Sequence, residues 1–309
     1  MTTDRQVGAS VTVRVPAKVN LQLGVGPKRA DGYHELATVF HAVSLFDDVR
    51  ARQAEPGTGI SLTISGEGAG ELPLDDTNLA WRAVLLLADQ AGLPADVELH
   101  LHKGIPVAGG MAGGSADAAG ALLACESLWQ LGIAREELMV LAARLGSDVP
   151  FALHGGNAIG TGRGERLLSA LARGAFEWVF ALAENGLSTP EVYAECDRLR
   201  GERQAAAPVV SPEIMQALRA GDPLALGAAL SNDLQPAAIS LRPVLAQVLE
   251  VGEGYGALGA IVSGSGPTCA FLAVDDEQAL DIAVGLTSAG VCRTVKRATG
   301  AVPGARIIA

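Results

Sequence analysis

Residues 97–115 read VELHLHKGIPVAGGMAGGS, and the fold turns on this stretch. Val97, Leu99 and Leu101 alternate with Glu98, His100 and His102, the period-two pattern of a half-buried strand. The strand leads into a run of small residues. From Ser115 to about Leu131 the chain is Ala- and Leu-rich, and it stops at Gly132, which predicts a helix. Strand, glycine loop, helix is the order in which backbone N–H groups and a helix N-terminus come close to an anion. These residues alone leave two uses open, a phosphate cradle and a tight turn that packs strand on helix. No GxxxxGKS/T occurs in the chain, so the loop is not of the Walker type.

Working outward, the first 65 residues read as β. Val11, Val13 and Val15 alternate, as do Val19, Leu21 and Leu23, and 59–65 carries a third short strand. Asp75-Asp76-Thr77 predicts the cap of a helix from Asn78 to Ala91, stopped by Gly92 and Pro94. A further helix is expected over Arg135–Leu145. A second half opens near 165–175, with hydroxyl or carboxylate caps followed by proline at Ser188-Thr189-Pro190, Ser211-Pro212 and Asp222-Pro223. Gln204–Val210 is its linker candidate. The end of the chain reads strand (257–263), glycine loop, strand (268–274), helix (276–289), strand (291–297). The expectation is an α+β pair of domains, 1–165 and 166–309, with loops between them free to form a cleft.

Composition narrows the function. A net charge of −11 over 309 residues argues against a nucleic-acid partner, which needs a concentrated basic surface. Cys125, Cys196, Cys269 and Cys292 have no CxxC spacing and read as reduced core residues of a cytoplasmic protein. The start, MTTDRQVGAS, lacks the basic and apolar regions of a signal peptide. Residues 254–274 carry no charge, long enough for a membrane span, but their glycines and Pro267 read as strand, loop, strand. Gly254-Tyr-Gly256-Ala-Leu-Gly259 matches GxGxxG, yet it follows a helix pattern and precedes a strand, the reverse of a dinucleotide site. Glu98, His100 and His102 share one strand face. With no fourth ligand indicated they read as a solvated face rather than a metal site.

Three segments together resemble one family. Pro16-Ala-Lys18-Val-Asn20-Leu, the loop at 106–115, and Ser263-Gly264-Ser265-Gly266-Pro267 are similar to the three motifs of the GHMP kinases, in order and spacing over nearly the whole chain. Arg29-Ala-Asp-Gly-Tyr-His34, Leu145-Gly-Ser-Asp-Val-Pro-Phe151 and Ser231-Asn-Asp-Leu-Gln-Pro236 look like the branch whose acceptor is a cytidine diphosphate ester of methylerythritol. The resemblance implies an N-terminal ATP domain like the second domain of ribosomal protein S5. It also implies a ferredoxin-like C-terminal α/β substrate domain, with the active site in the cleft between them. The implied reaction is ATP-dependent phosphorylation of the acceptor's 2-hydroxyl, in non-mevalonate isoprenoid precursor synthesis, with Mg2+ carried by ATP and no nucleic-acid, membrane or obligate protein partner. Other members of the superfamily, homoserine and mevalonate kinases, are the alternative enzymes; Asp-Gly-Tyr-His argues against them. A silent ligand sensor on the same fold is a third reading, disfavoured by the presence of both Lys18 and Asp148.

The same resemblance implies residue roles. Lys18 and Asp148 are implied as catalytic, the lysine as a point charge where negative charge accumulates and the aspartate as base and orienter of the hydroxyl. Phosphoryl transfer tolerates so weak a base because its transition state is loose. Taken alone, Lys18 reads as an edge charge and Asp148 as a helix cap. ATP is expected on Pro106, Val107, Ala108, Gly109, Gly110, Met111, Ala112, Gly113, Gly114, Ser115 and Ala116, with Ser115 the candidate for a phosphate or the magnesium shell. The family has glycine where this chain has Ala108 and Ala112, and a second serine at Ala116. Asn78 and Lys103 match positions near adenine and ribose; a helix cap and a strand-end charge are their plain readings. Tyr33, His34 and Tyr193 are implied around the cytosine, Tyr33 and Tyr193 sandwiching it, with Asn20, Thr189, Gly264, Ser265 and Gly266 also lining the acceptor side.

Overall fold

The computed structural model describes residues 8–107, 109–201 and 205–309. Residues 1–7 of the supposed leaderless start, Ala108 of the loop and Gln204 of the linker candidate lie outside the described residues.

Alternating valines make a single long strand, β1 (Ser10–Lys28), which folds back antiparallel on β2 (His34–Gln53). Register shifts between Pro16 and Ala17 and between Asn20 and Gln22 bracket Lys18, a place where bulges commonly re-aim side chains. β3 (Ile60–Gly66) follows, then α1 (Leu79–Ala91), β4 (Val97–Lys103), α2 (Gly113–Leu128), α3 (Arg135–Leu145) and α4 (Val149–His154). β4 pairs parallel with β3 and antiparallel with the end of β2. The hairpin β5 (Asn157–Gly162) and β6 (Arg166–Ser169) pairs through β5 with the start of β2. The cap of α1 is Asn78 itself, whose side chain accepts from Ala80 N, one residue beyond the predicted Asp-Asp-Thr group.

The second half brings β7 (Phe176–Leu182), α5 (Thr189–Arg200), α6 (Pro212–Ala220), α7 (Pro223–Ala229) and the short β8 (Ser231–Asn232). Then come α8 (Gln235–Leu241), α9 (Val244–Gly254), β9 (Gly259–Val262), β10 (Cys269–Ala273), α10 (Asp276–Ala289), β11 (Thr294–Gly300) and β12 (Arg306–Ile307). One sheet runs β12-β1-β2-β11-β7-β10-β9, joined across the halves by the pairing of Gly300 with Val43. The two halves are not simple consecutive lengths of chain. β6 stays in its hairpin with β5, and the last residues return to the first half, with β12 on β1 and Ala305 N donating to Ala152 O.

Two apolar cores share the sheet. Trp178, Phe180 and Leu182 of β7 face the larger core with α1–α3, while Val179 and Ala181 face the smaller one with α5, α8, α9 and α10. Both faces of β7 are therefore buried, so the strand reads as a continuous apolar run rather than an alternation. α2 lies directly on β1 and β2. A Cβ at Gly120 would stand 2.5 Å from Val49, so glycine is what allows that approach. The uncharged stretch 254–274 is strand, turn and strand, and no helix among the described residues is long and apolar enough to cross a membrane. His100 and His102 hydrogen-bond to Thr63 and Ser65, Glu98 pairs with Arg52, and no metal-binding cluster occurs among the described residues.

Candidate active site

A cleft of about 750 Å³ opens between the halves. Its floor is the glycine loop, whose shape is set by contact with the second half. Gly110 has φ +70°, and a Cβ there would lie 2.4 Å from the carbonyl oxygen of Ser263. Opposite it Gly264 has φ +57°, and a Cβ there would stand 3.4 Å from Lys18 Nζ. Ser263 Oγ donates to Gly110 O at 3.2 Å, and Lys18 N donates to Met111 O at 3.3 Å. The two glycine motifs thus touch backbone to backbone directly beside Lys18. Gly113, Gly114 and Ser115 open α2 onto the cleft with no capping side chain on their N–H groups, which suits an anion. Ala112 sits at φ +61°, a conformation that costs an alanine roughly 1–2 kcal/mol.

Behind the loop lies a buried ion triad. Lys103 Nζ donates to the carboxylates of Asp47 and Asp117. Asp47 also accepts the amides of Gly104 (2.8 Å) and Ile105 (2.9 Å). Burial works against the Lys103 ammonium, but Asp117 and Asp47 outweigh it and hold it above the usual lysine range. Burial likewise pushes the Asp117 carboxyl up, with Lys103 opposing and Asp47 adding to the shift. The triad ties both ends of the loop, 104–105 and 117, to β2. One oxygen of Asp117 has no hydrogen-bond partner, and the residue lines the cleft.

At mid-cleft, Lys18 and Asp148 face one another with Nζ and Oδ2 3.4 Å apart. Lys18 is 93% buried, its position fixed by a chain of hydrogen bonds. Its Nζ donates to Asn20 Oδ1 (2.7 Å), Asn20 Nδ2 donates to Thr38 Oγ1 (2.7 Å), and Thr38 donates to Gln22 O (2.6 Å). Asp148 occupies the break between α3 and α4. It precedes Pro150 in the first turn of α4, yet its side chain does not cap that helix and points at Lys18 instead.

The far end is made of side chains. Arg29 pairs with Asp31 and Glu35, and Asp31 accepts from Tyr33 N, folding the turn that presents Tyr33 and His34. His34 stacks on Tyr193, ring centroids 5.1 Å apart, and its Nε2 meets Asp197 at 2.9 Å. Burial first, and the charge of Asp148 second, push the Tyr193 phenol upward. Tyr33 is half exposed, with the Arg163 guanidinium 4.9 Å over its ring. Thr189 and Ser265 hydroxyls meet at 2.8 Å, joining α5 to the second glycine motif. Asn232 donates to the carbonyls of Val262 and Gly264, and Gln235 accepts from Val262 N, so the 231–236 motif sets the backbone of that motif from below.

Most residues expected at the site line this cleft: Lys18, Asn20, Tyr33, His34, Lys103, Pro106, Val107, Gly109, Gly110, Ala112, Gly113, Gly114, Ser115, Asp148, Thr189, Tyr193, Gly264 and Ser265. The remaining expected residues, and Lys103 among those at the cleft, are engaged as follows. Asn78 does not line the cleft, because its amide caps α1 and donates to Pro73 O. Met111 and Ala116 are turned into the core, and Gly266 packs against Val262 behind its loop. Lys103 lines the cleft, but both of its strong partners are aspartates. One face of Tyr193 is taken by the His34 ring. Sequence reading missed Asp197, Asp117, Asp47, Lys28 and Arg163. Asp197 was accessible as the residue four beyond Tyr193 on one helix face, and Asp117 as the first carboxylate in α2; Asp47 carries no local signal.

The profile for the GHMP kinases N terminal domain matches residues 78–156, and that for the GHMP kinases C terminal matches 214–292. A 4-diphosphocytidyl-2-C-methyl-D-erythritol kinase of Mycolicibacterium smegmatis is 58% identical over 301 residues, 97% of this chain and 92% of the relative. The crystal structure of a 4-(cytidine 5'-diphospho)-2C-methyl-D-erythritol kinase superimposes with TM-score 0.74 at 33% identity, covering 93% of this chain and 98% of that one. The L. major mevalonate kinase, solved with R-mevalonate, superimposes with TM-score 0.78 at 16% identity, covering 98% of this chain and 99% of that one; it shares the fold.

Proposed function

The chain belongs to the GHMP kinases, and from that membership we propose that it transfers the γ-phosphoryl of ATP to the 2-hydroxyl of 4-diphosphocytidyl-2-C-methyl-D-erythritol, a step of non-mevalonate isoprenoid precursor synthesis. The observation that carries this reading is the Lys18–Asp148 pair standing between an uncapped helix N-terminus and the His34–Tyr193 stack. ATP phosphates lie along the loop, where α2 and the backbone amides meet their charge. The cytosine lies by His34, Tyr33 and Tyr193, which leaves the methylerythritol hydroxyl at mid-cleft.

There Asp148 accepts and orients the hydroxyl, and Lys18, held by Asn20, faces the charge that spreads over the transferring group. Asn20 acts here through Lys18 rather than through the acceptor. Ser115 and the unpartnered oxygen of Asp117 fit an oxygen-seeking cation; Mg2+ held there and by the phosphates would neutralise phosphate charge. Lys103 supports the loop from behind. The free cysteines and the net charge of −11 suit a cytoplasmic enzyme of a small-molecule substrate.

The test is ADP release measured with three acceptors in parallel: the cytidine diphosphate ester, homoserine and mevalonate. Turnover with the first alone is expected. Turnover with either of the others, and none with the first, would replace this reading by another member of the family.

A further inference from the structure

Among the described residues four cations line the cleft: Lys18, Lys28, Lys103 and Arg163. Lys18 faces Asp148, and Lys103 is held between Asp47 and Asp117. Among the described residues the Lys28 ammonium and the Arg163 guanidinium pair with no carboxylate, although the Arg163 backbone N–H donates to Glu165 at 2.6 Å. The third acid of the cleft, Asp197, is engaged by His34. The positive charge still available to a ligand is therefore concentrated on these two side chains.

Sheet register explains where they stand. Lys28 of β1 pairs with His34 of β2, and Leu36 of β2 pairs with Gly162 of β5. Arg163 is the next residue beyond that last pair, at the tip of the β5–β6 hairpin. The two cations thus bracket the Tyr33–His34 turn from neighbouring strands. Arg163 reaches back over the Tyr33 ring at 4.9 Å, and the following Gly164 packs near Ser147, the neighbour of Asp148. Stacking on an aromatic face orients a planar guanidinium and leaves its N–H fork free.

We infer that Arg163, with Lys28 across the turn, grips the diphosphate of the acceptor and sets the preference for a nucleoside diphosphate ester. This rests on the functional reading above, in which the base sits at the Tyr33–His34 turn and the hydroxyl at Asp148. The diphosphate must then bridge the space between them, where Arg163 stands. A guanidinium fork suits two phosphate oxygens at once, and the ammonium of Lys28 adds a point charge.

The experiment is calorimetric titration of the full-length protein with CDP and with cytidine, the nucleotide site being filled by a non-hydrolysable ATP analogue. Wild type, Arg163→Met, Arg163→Lys and Lys28→Met are compared. Arg163→Met is expected to weaken CDP at least about tenfold, the scale of one charge-assisted contact, and to leave cytidine within twofold. Arg163→Lys should recover part of the loss, and Lys28→Met should show a smaller loss of the same kind. The KM for the cytidine diphosphate ester should follow CDP, with kcat and the KM for ATP unmoved. Equal weakening of CDP and cytidine would make Arg163 a packing group for Tyr33, and unchanged CDP binding would remove it from the site; either overturns the inference. If Arg163→Met does not fold, the Lys variants carry the same comparison. Failure of the wild type to turn over the ester would defeat the functional reading instead, a result the titration alone does not produce.

Discussion

The two ends of the cleft are built from different materials. The loop end is backbone: glycine amides, a helix N-terminus, and a buried ion triad that fixes them from behind. The Tyr33 end is side chain: a half-exposed tyrosine, an imidazole stacked on a phenol, and two unpaired cations on strand ends. Backbone donors recognise any phosphate in the same way, so that end is suited to the co-substrate a whole family shares. Side chains on a turn and a hairpin tip can change without disturbing the sheet, and the function proposed above puts the acceptor there. The mevalonate kinase at 16% identity shares the fold.

The strongest break in this comparison is Lys103→Met. It strands two buried carboxylates and should lower stability by about 3–5 kcal/mol, read by urea unfolding. Among molecules still folded, the KM for ATP should rise while the acceptor KM stays put; the opposite pattern would make the triad part of the acceptor end. At the junction of the two ends, Asp148→Asn and Lys18→Ala should each reduce kcat at least ~100-fold with melting temperature little changed. Near-normal turnover would take that residue out of the chemistry.

Tyr33→Ala should act on one end alone. Loss of a base stack worth ~1–3 kcal/mol should raise the acceptor KM roughly five- to hundredfold, with the KM for ATP unaffected. The smallest effect expected is a gain. Ala112→Gly relieves an alanine at φ +61° and should stabilise the protein by up to ~1 kcal/mol. Some of that gain is offset by the greater freedom of glycine in the unfolded chain. A clear loss of stability would show that the loop depends on the alanine methyl.

Helices and strands were largely legible because their signals are local. Arg135–Leu145 and Asp276–Ala289 form over the residues their caps and periodicity predict, and the last strands fall within three residues of expectation at their starts. The Lys18–Asp148 pair was legible only as family motifs, since a lysine in a strand and an aspartate before Val-Pro have plainer local readings. Asn78 shows the limit: the same residue type suits a nucleotide contact and a helix cap, and the chain uses it as the cap.

Sequence by itself determined the order of elements, the glycine loop that opens α2, and the family. These depend on neighbours within a few residues, or on motifs whose spacing survives in one dimension. Tertiary structure alone decided which charges are spent. Lys103 finds Asp47 across 56 positions, and Arg163 finds Tyr33 only because β5 registers on β2. Electrostatic pairing acts through space, so the charges left free for a ligand become countable only once the sheet has brought their partners together.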